Sequence, residues 1–180
     1  MKKVFIPTLI ILMAAFYFGC KKKKTNVEFD VTYTTDMVVP TYSATQETYT
    51  FVTNDILTNI SSELSNHNTT ADLIGEVKCT KFDVAIKTPT AGSVSFIKQM
   101  RFYINATNLP EQKVAYKYND KNDTIMPTAK STSFKLNSAN LKNRYMLPSF
   151  YYKVKLMTAY NPGSTTITVT HNVHVKGITQ

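Results

Sequence analysis

The alternation that begins at Val27 limits this chain more than any other feature in it. Val27, Phe29, Val31 and Tyr33 share one parity, and Glu28, Asp30, Thr32 and Thr34 the other. Successive strand side chains point to opposite faces, so period two with one apolar set describes a strand half-buried against a core. The strand is expected to reach Val38 and stop before Pro40, because the residue before a proline is restricted. The pattern returns near the end of the chain. Tyr152, Val154 and Leu156 share a face within Phe150–Tyr160. Ile167, Val169, Val173 and Val175 do so within Thr166–Val175, opposite a row of threonines. Between these two runs, Asn161-Pro162-Gly163-Ser164 has Pro and Gly at the central positions of a type II turn, and the pair reads as a hairpin.

Shorter segments fill the interval. Glu47–Val52 reads as a second strand. Asn54 and Asp55 suit a helix start, and Ile56, Leu57, Ile60 and Leu64 follow at helical spacing to about Ser65. Thr69-Thr70-Ala71-Asp72 is a short capping pattern. Glu76–Lys87 is a long strand whose apolar parity slips between Cys79 and Phe82, which predicts a bulge at Thr80-Lys81. Met100, Phe102 and Ile104 mark a strand ended by Asn108-Leu109-Pro110, and Val114–Tyr118 marks another. Asn119–Lys130 is a polar loop, Ser133–Leu136 a short strand and Ala139–Met146 a short helix. Charged residues are 18% of the chain and apolar ones 43%, a balance that folds. About eight short strands with one or two short helices predict an all-β antiparallel β-sandwich. A five-stranded oligonucleotide-binding barrel is the alternative.

The first residues read MKKVFIPTLIILMAAFYFGCKKKK. The apolar run Val4–Phe18 is too short to span a bilayer as a helix, and it follows two lysines and precedes small Gly19. Tyr17-Phe18-Gly19-Cys20 resembles the signal of bacterial lipoproteins, although Tyr17 and Phe18 are bulkier than usual there. The resemblance implies cleavage after Gly19 and lipid on the Cys20 thiol. It divides the chain into a signal peptide (1–19), a lipidated, basic tether (20–26) and one domain (27–180). Two or more acyl chains give stable anchoring where one does not. Six of the twenty-one basic residues lie in Met1–Lys24 with no acid among them. The net charge of +9 therefore belongs mostly to this end of the chain and is no footprint of nucleic-acid binding. Lys21 stands where inner-membrane lipoproteins carry aspartate, so the resemblance implies outer-membrane delivery. Lipoproteins exported to the cell surface often carry acidic residues just after the cysteine, and Lys21–Lys24 depart from that, so the domain is expected to face the periplasm, with the cell surface as the alternative. The segments Leu73–Val84, Phe96–Phe102 and Leu109-Pro110-Glu111 resemble uncharacterised β-sandwich lipoproteins of Bacteroidetes-type bacteria. That family brings no known activity.

Chemistry leaves little trace. With Cys20 lipidated, Cys79 has no partner in the chain and reads as a small buried hydrophobe. Three histidines and two cysteines are too few for a zinc enzyme, and no phosphate loop, nucleophile elbow or dinucleotide fingerprint occurs, so neither metal nor cofactor is expected. His171 and His174 fall on opposite faces of one strand. His171 shares the apolar parity and reads as a hydrogen-bonded core or rim histidine, and His67 as an exposed loop residue. Glu28, Asp30 and Asp36 read as a row of solvated carboxylates about 7 Å apart.

Aromatic and basic residues interleave at Arg101-Phe102-Tyr103, Tyr116-Lys117-Tyr118 and Tyr151-Tyr152-Lys153. Alternation of this kind commonly puts aromatics in the core with lysines outside. If the aromatics face outward instead, Tyr103, Tyr116, Tyr118 and Tyr151 are where a carbohydrate would stack. Asp123-Thr124-Ile125 resembles the O-glycosylation motif of Bacteroidetes envelope proteins, which implies Thr124 as the acceptor. These observations lead us to expect a non-enzymatic envelope lipoprotein, a structural or interaction subunit with a membrane and a protein as partners. A module binding a glycan or small apolar molecule is the alternative.

Overall fold

The computed structural model describes residues 24–41 and 48–180. Among these residues ten strands form two antiparallel sheets. They are β1 (Asn26–Val39), β2 (Tyr49–Val52), β3 (Ile56–Leu57), β4 (Ile74–Thr88), β5 (Ile97–Asn105), β6 (Gln112–Tyr118), β7 (Ser131–Ser133), β8 (Lys135–Leu136), β9 (Ser149–Thr158) and β10 (Thr165–Ile178). One sheet has four strands in the order β1-β10-β4-β7. The other has six, in the order β2-β9-β5-β6-β8, with β3 also paired to β9. This is an all-β sandwich and no barrel. Two α-helices among the described residues, α1 (Ile60–Asn66) and α2 (Lys142–Tyr145), accompany the sheets.

The inner faces follow from parity. Phe29, Val31, Tyr33, Met37 and Val39 of β1 are buried, as are Ile167, Val169, His171, Val173 and Val175 of β10. Across the core stand Phe150, Tyr152, Val154 and Leu156 of β9 and Met100, Phe102 and Ile104 of β5. In β4 the register with β10 slips between Lys81 and Cys79, which leaves Thr80 unpaired. This bulge lets Cys79 and Phe82 both face inward, as the parity shift predicted.

Four expectations need correction. The last two strands are not a hairpin, because β9 and β10 lie in different sheets. The connection between them has Gly163 at φ +67°, and Gly163 N–H donates to Asn161 Oδ1 at 2.9 Å. It carries the chain across the sandwich, where the apolar faces of β9 and β10 meet. The helix expected from Asn54 starts at Ile60, after Asn59 in the left-handed region. Ile56 and Leu57 pair with Phe150 and Ser149 instead. Thr58 secures that strand: its N–H donates to Pro148 O at 3.0 Å and its hydroxyl to Leu147 O at 2.6 Å. Residues 133–136 do not form one strand. Ser133 pairs with Asp83 in one sheet and Leu136 with Ala115 in the other, with buried Phe134 between them closing the side of the sandwich. Finally, His67 is half-buried and stacks on Phe29 with ring centroids 4.2 Å apart.

The helix expected over Ala139–Met146 shortens to α2 because Asn140 is committed elsewhere. Its Oδ1 accepts from Val77 N–H at 3.0 Å and Lys142 N–H at 3.1 Å, and its amide donates to Gly75 O at 3.1 Å. One side chain thus starts the helix and ties it to β4.

Candidate functional site

The outer face of the six-stranded sheet collects the residues singled out for ligand contact. On β5 the inner positions are Met100, Phe102 and Ile104, which leaves Gln99, Arg101 and Tyr103 outside. On β9, Tyr152 and Val154 are inside, and Tyr151, Lys153 and Lys155 are outside. On β6 a bulge between Phe102 and Tyr103 of the partner strand shifts the parity, so Lys113, Tyr116 and Tyr118 share the outer face. All four tyrosines, Tyr103, Tyr116, Tyr118 and Tyr151, therefore lie on one face. The commoner arrangement, aromatics inside and lysines outside, is inverted at Tyr116-Lys117-Tyr118. There the lysine is buried and the tyrosines face out.

Asp123 gives the inward lysine its partner. Lys117 Nζ donates to Asp123 Oδ1, and Lys135 Nζ lies 3.5 Å from Asp123 Oδ2. Burial pushes the Asp123 carboxyl up, but the two ammonium groups outweigh it and hold it below its ordinary value. The loop bearing Asp123 is ordered by its own hydrogen bonds. Asn119 Oδ1 accepts from Ile125 N–H at 2.8 Å, and Ile125 is buried. Thr124 is exposed, its hydroxyl donating to Asp120 O at 2.8 Å.

The register arranges the outer face into rows. Arg101 stands between Lys155 and Tyr116, Tyr103 between Lys153 and Lys113, and Gln99 between Met157 and Tyr118. Arg101 lies over the Tyr118 ring at 5.8 Å, Lys113 over Tyr116 at 5.0 Å and Lys155 over Tyr103 at 5.0 Å. Tyr116 and Tyr118 meet edge to face at 5.6 Å. Tyr151 lies opposite Asn105, one row beyond Tyr103. Two grooves lie elsewhere on the molecule, one of about 450 Å³ at Glu28, Leu73, Glu76 and Lys176, and one of about 270 Å³ at Asp36, Val38, Phe51 and Asn54. None of the four tyrosines lines either groove.

His171 belongs to the interior. It is 1% exposed, with Tyr145 Oη 2.7 Å from Nε2 and Tyr152 Oη 2.7 Å from Nδ1. A neutral imidazole has one donor and one acceptor nitrogen, and two hydroxyls can satisfy both. Tyr33 and Phe82, its cross-strand neighbours, flank the ring at 5.0 and 5.8 Å. Burial with no carboxylate partner pushes the imidazole down to about 3. Burial also raises Tyr33, Tyr145 and Tyr152 well above the usual phenol range. Cys79 is buried, its Sγ donating to Lys81 O at 3.3 Å, and burial pushes the thiol up to about 12. His174 points outward to Asp30 and Glu28, at 2.8 and 3.4 Å. Among the described residues no cluster of histidine, cysteine and carboxylate side chains could hold a metal ion. Gly19 and Cys20, the expected cleavage and lipidation positions, lie outside the described residues.

No family model matches the chain, and no curated protein does. Among solved structures, a chain titled Desmodium yellow mottle tymovirus aligns over 87% of this chain and 91% of its own, at 10% identity. Its TM-score of 0.29 is too low to bear on fold or function.

Proposed function

We propose that this chain is a non-enzymatic, lipid-anchored envelope protein that serves as a structural or interaction subunit of a membrane-associated assembly. Lipid on Cys20 holds it to the outer membrane with the sandwich facing the periplasm. The observation that carries the interaction reading is the edge of the four-stranded sheet. Exposed edges are normally kept short, bulged or covered. Here β2, β7 and β8, of four, three and two residues, fit that rule. Strand β1 does not. It runs fourteen residues without a register break and, among the described residues, pairs only with β10. Such an edge offers a row of backbone donors and acceptors to an added strand, and Val38 at its end is 65% exposed. His171, the side chain most suggestive of chemistry, is sealed in the core.

The test is crosslinking of the native protein in its membrane with a reagent that joins carboxylates to amines, followed by mass spectrometry. Glu28, Asp30 and Asp36 are the carboxylates along β1. One stoichiometric protein partner, crosslinked through these residues, is expected. Absence of any partner, or crosslinks that avoid β1, would remove the basis of the proposal.

A further inference from the structure

The two outer faces differ in how they treat charge. On the four-stranded sheet the cations have acidic neighbours: Lys78 with Glu76, Lys81 with Asp83, Lys87 with Asp36, and Lys176 with Glu28. On the six-stranded sheet Lys153 pairs with Glu111 at 2.8 Å, and Lys155 also acts on Glu111 from further off, but Arg101, Lys113 and Lys155 form no direct ion pair with a carboxylate among the described residues. They rest on tyrosine rings instead, a contact that holds a cation without neutralising it. Arg101 and Lys155 stand directly opposite each other on neighbouring strands, where like charges destabilise a sheet. An anion lying across this face would relieve that repulsion.

The geometry narrows the ligand. A sheet face whose outward side chains stand in rows suits an extended chain. Neighbouring strands lie about 4.8 Å apart, and same-face residues along a strand about 7 Å apart. Charges at that separation suit a polymer of rings bearing intermittent anions. Each cation sits over a ring face, so stacking of nucleic-acid bases there competes with the cation already in place. The cationic heads and phenol hydroxyls suit carboxylates and hydroxyls. Val52 and Leu57, both on the rim strands, are the large aliphatic side chains exposed on this face among the described residues, so its centre lacks the apolar anchors that insert into a bilayer surface.

We propose that the outer face of the six-stranded sheet binds an extended acidic polysaccharide. Its carboxylates meet Arg101, Lys113 and Lys155, and its hydroxyls meet Tyr103, Tyr116 and Tyr118. This binding is independent of the β1 edge and of the anchor.

The experiment uses the full chain in nonionic detergent, with polygalacturonate as the probe and dextran as the neutral polymer. Binding of polygalacturonate without dextran is expected at low salt. It should weaken roughly tenfold or more in R101Q/K113Q/K155Q, as contacts to charged partners do on truncation. A second variant, K81Q/K87Q/K176Q, removes the same charge from the opposite face and should bind as the parent does. Both variants should keep the parent's melting temperature to within a few degrees. Three results would overturn the proposal. One is no binding of polygalacturonate. Another is equal weakening in the two variants, which would make net charge the cause. The third is displacement, charge for charge, by oligodeoxythymidylate or by phosphatidylglycerol added to the micelles. Oligodeoxythymidylate would point to nucleic acid, and phosphatidylglycerol to a membrane surface.

Discussion

His171 makes stability depend on pH in a window that can be assigned to one residue. Its imidazole titrates near 3 when folded and near 6.5 in an unfolded chain. Below 6.5 the unfolded chain takes up a proton that the folded chain refuses, so stability falls as pH drops through 6.5 toward 3. Between pH 7 and pH 5 the loss is about 2 kcal/mol. Urea unfolding at the two pH values should show it, and His171→Gln, which keeps polar atoms for the tyrosines, should flatten the profile there. A slope that survives the substitution would assign the effect elsewhere. At the other extreme, Tyr33, Tyr145 and Tyr152 keep their protons in the core, so stability should be lost as pH rises above about 10. Asp123 acts in a third range. Its lowered folded value means its contribution is full above about 4 and disappears in stronger acid. Asp123→Asn at neutral pH leaves the Lys117 charge buried without its partner and should cost about 3 kcal/mol, read from the urea midpoint. Replacing both residues, by Met at 117 and Leu at 123, should recover much of that loss. If the single substitution is neutral, the ion pair does not fix the Lys117 orientation.

At the scale of elements, legibility followed how local the deciding contact was. Strands β1 and β10 could be read from sequence because their alternation is unbroken, and the β4 bulge because parity itself records it. Ile56 and Leu57 could not, since their spacing with Ile60 and Leu64 fits a helix equally well. What decides is Thr58 bonding to Leu147 and Pro148, about ninety residues away. The hairpin failed for a related reason: turn chemistry shows that the chain reverses but not which sheet receives the next strand. The tyrosine face was half legible. The residues could be named, but their outward direction depends on Asp123 holding Lys117 inside and on the β6 bulge. One glycine shows such a constraint in steric form. At Gly177 the register of β10 with β4 shifts, and a Cβ there would meet Ile74 Cδ1 at 2.7 Å and Leu73 O at 2.8 Å. Because backbone cannot yield as a side-chain tip can, Gly177→Ala should cost about 1–3 kcal/mol and lower Tm by roughly 5 °C. Gly75→Ala, whose Cβ meets nothing closer than 3.9 Å, is the control and should cost less.

For the whole molecule, the pairing of β1 with β10 brings the first and last described segments side by side. Asn26 lies opposite Ile178, and Thr179 N–H donates to Thr25 O at 2.9 Å. The proposed tether would therefore join the sandwich at one end, at a point fixed by backbone hydrogen bonds at Thr25 and Asn26. Anchor and domain should then be separable. Cys20→Ala removes the only atom proposed to carry lipid, so it should shift the mature protein from the membrane to the soluble fraction. The melting temperature should stay unchanged. Serine in place of Lys21–Lys24 should leave both membrane attachment and melting temperature as they are, because acyl chains at about 0.8 kcal/mol per methylene outweigh four surface lysines at about 1 kcal/mol each. The two variants part the mechanisms. If Cys20→Ala remains in the membrane fraction, lipid on that residue is not the anchor. If the serine variant leaves the membrane while Cys20 is intact, attachment rests on the basic tether and an anionic leaflet.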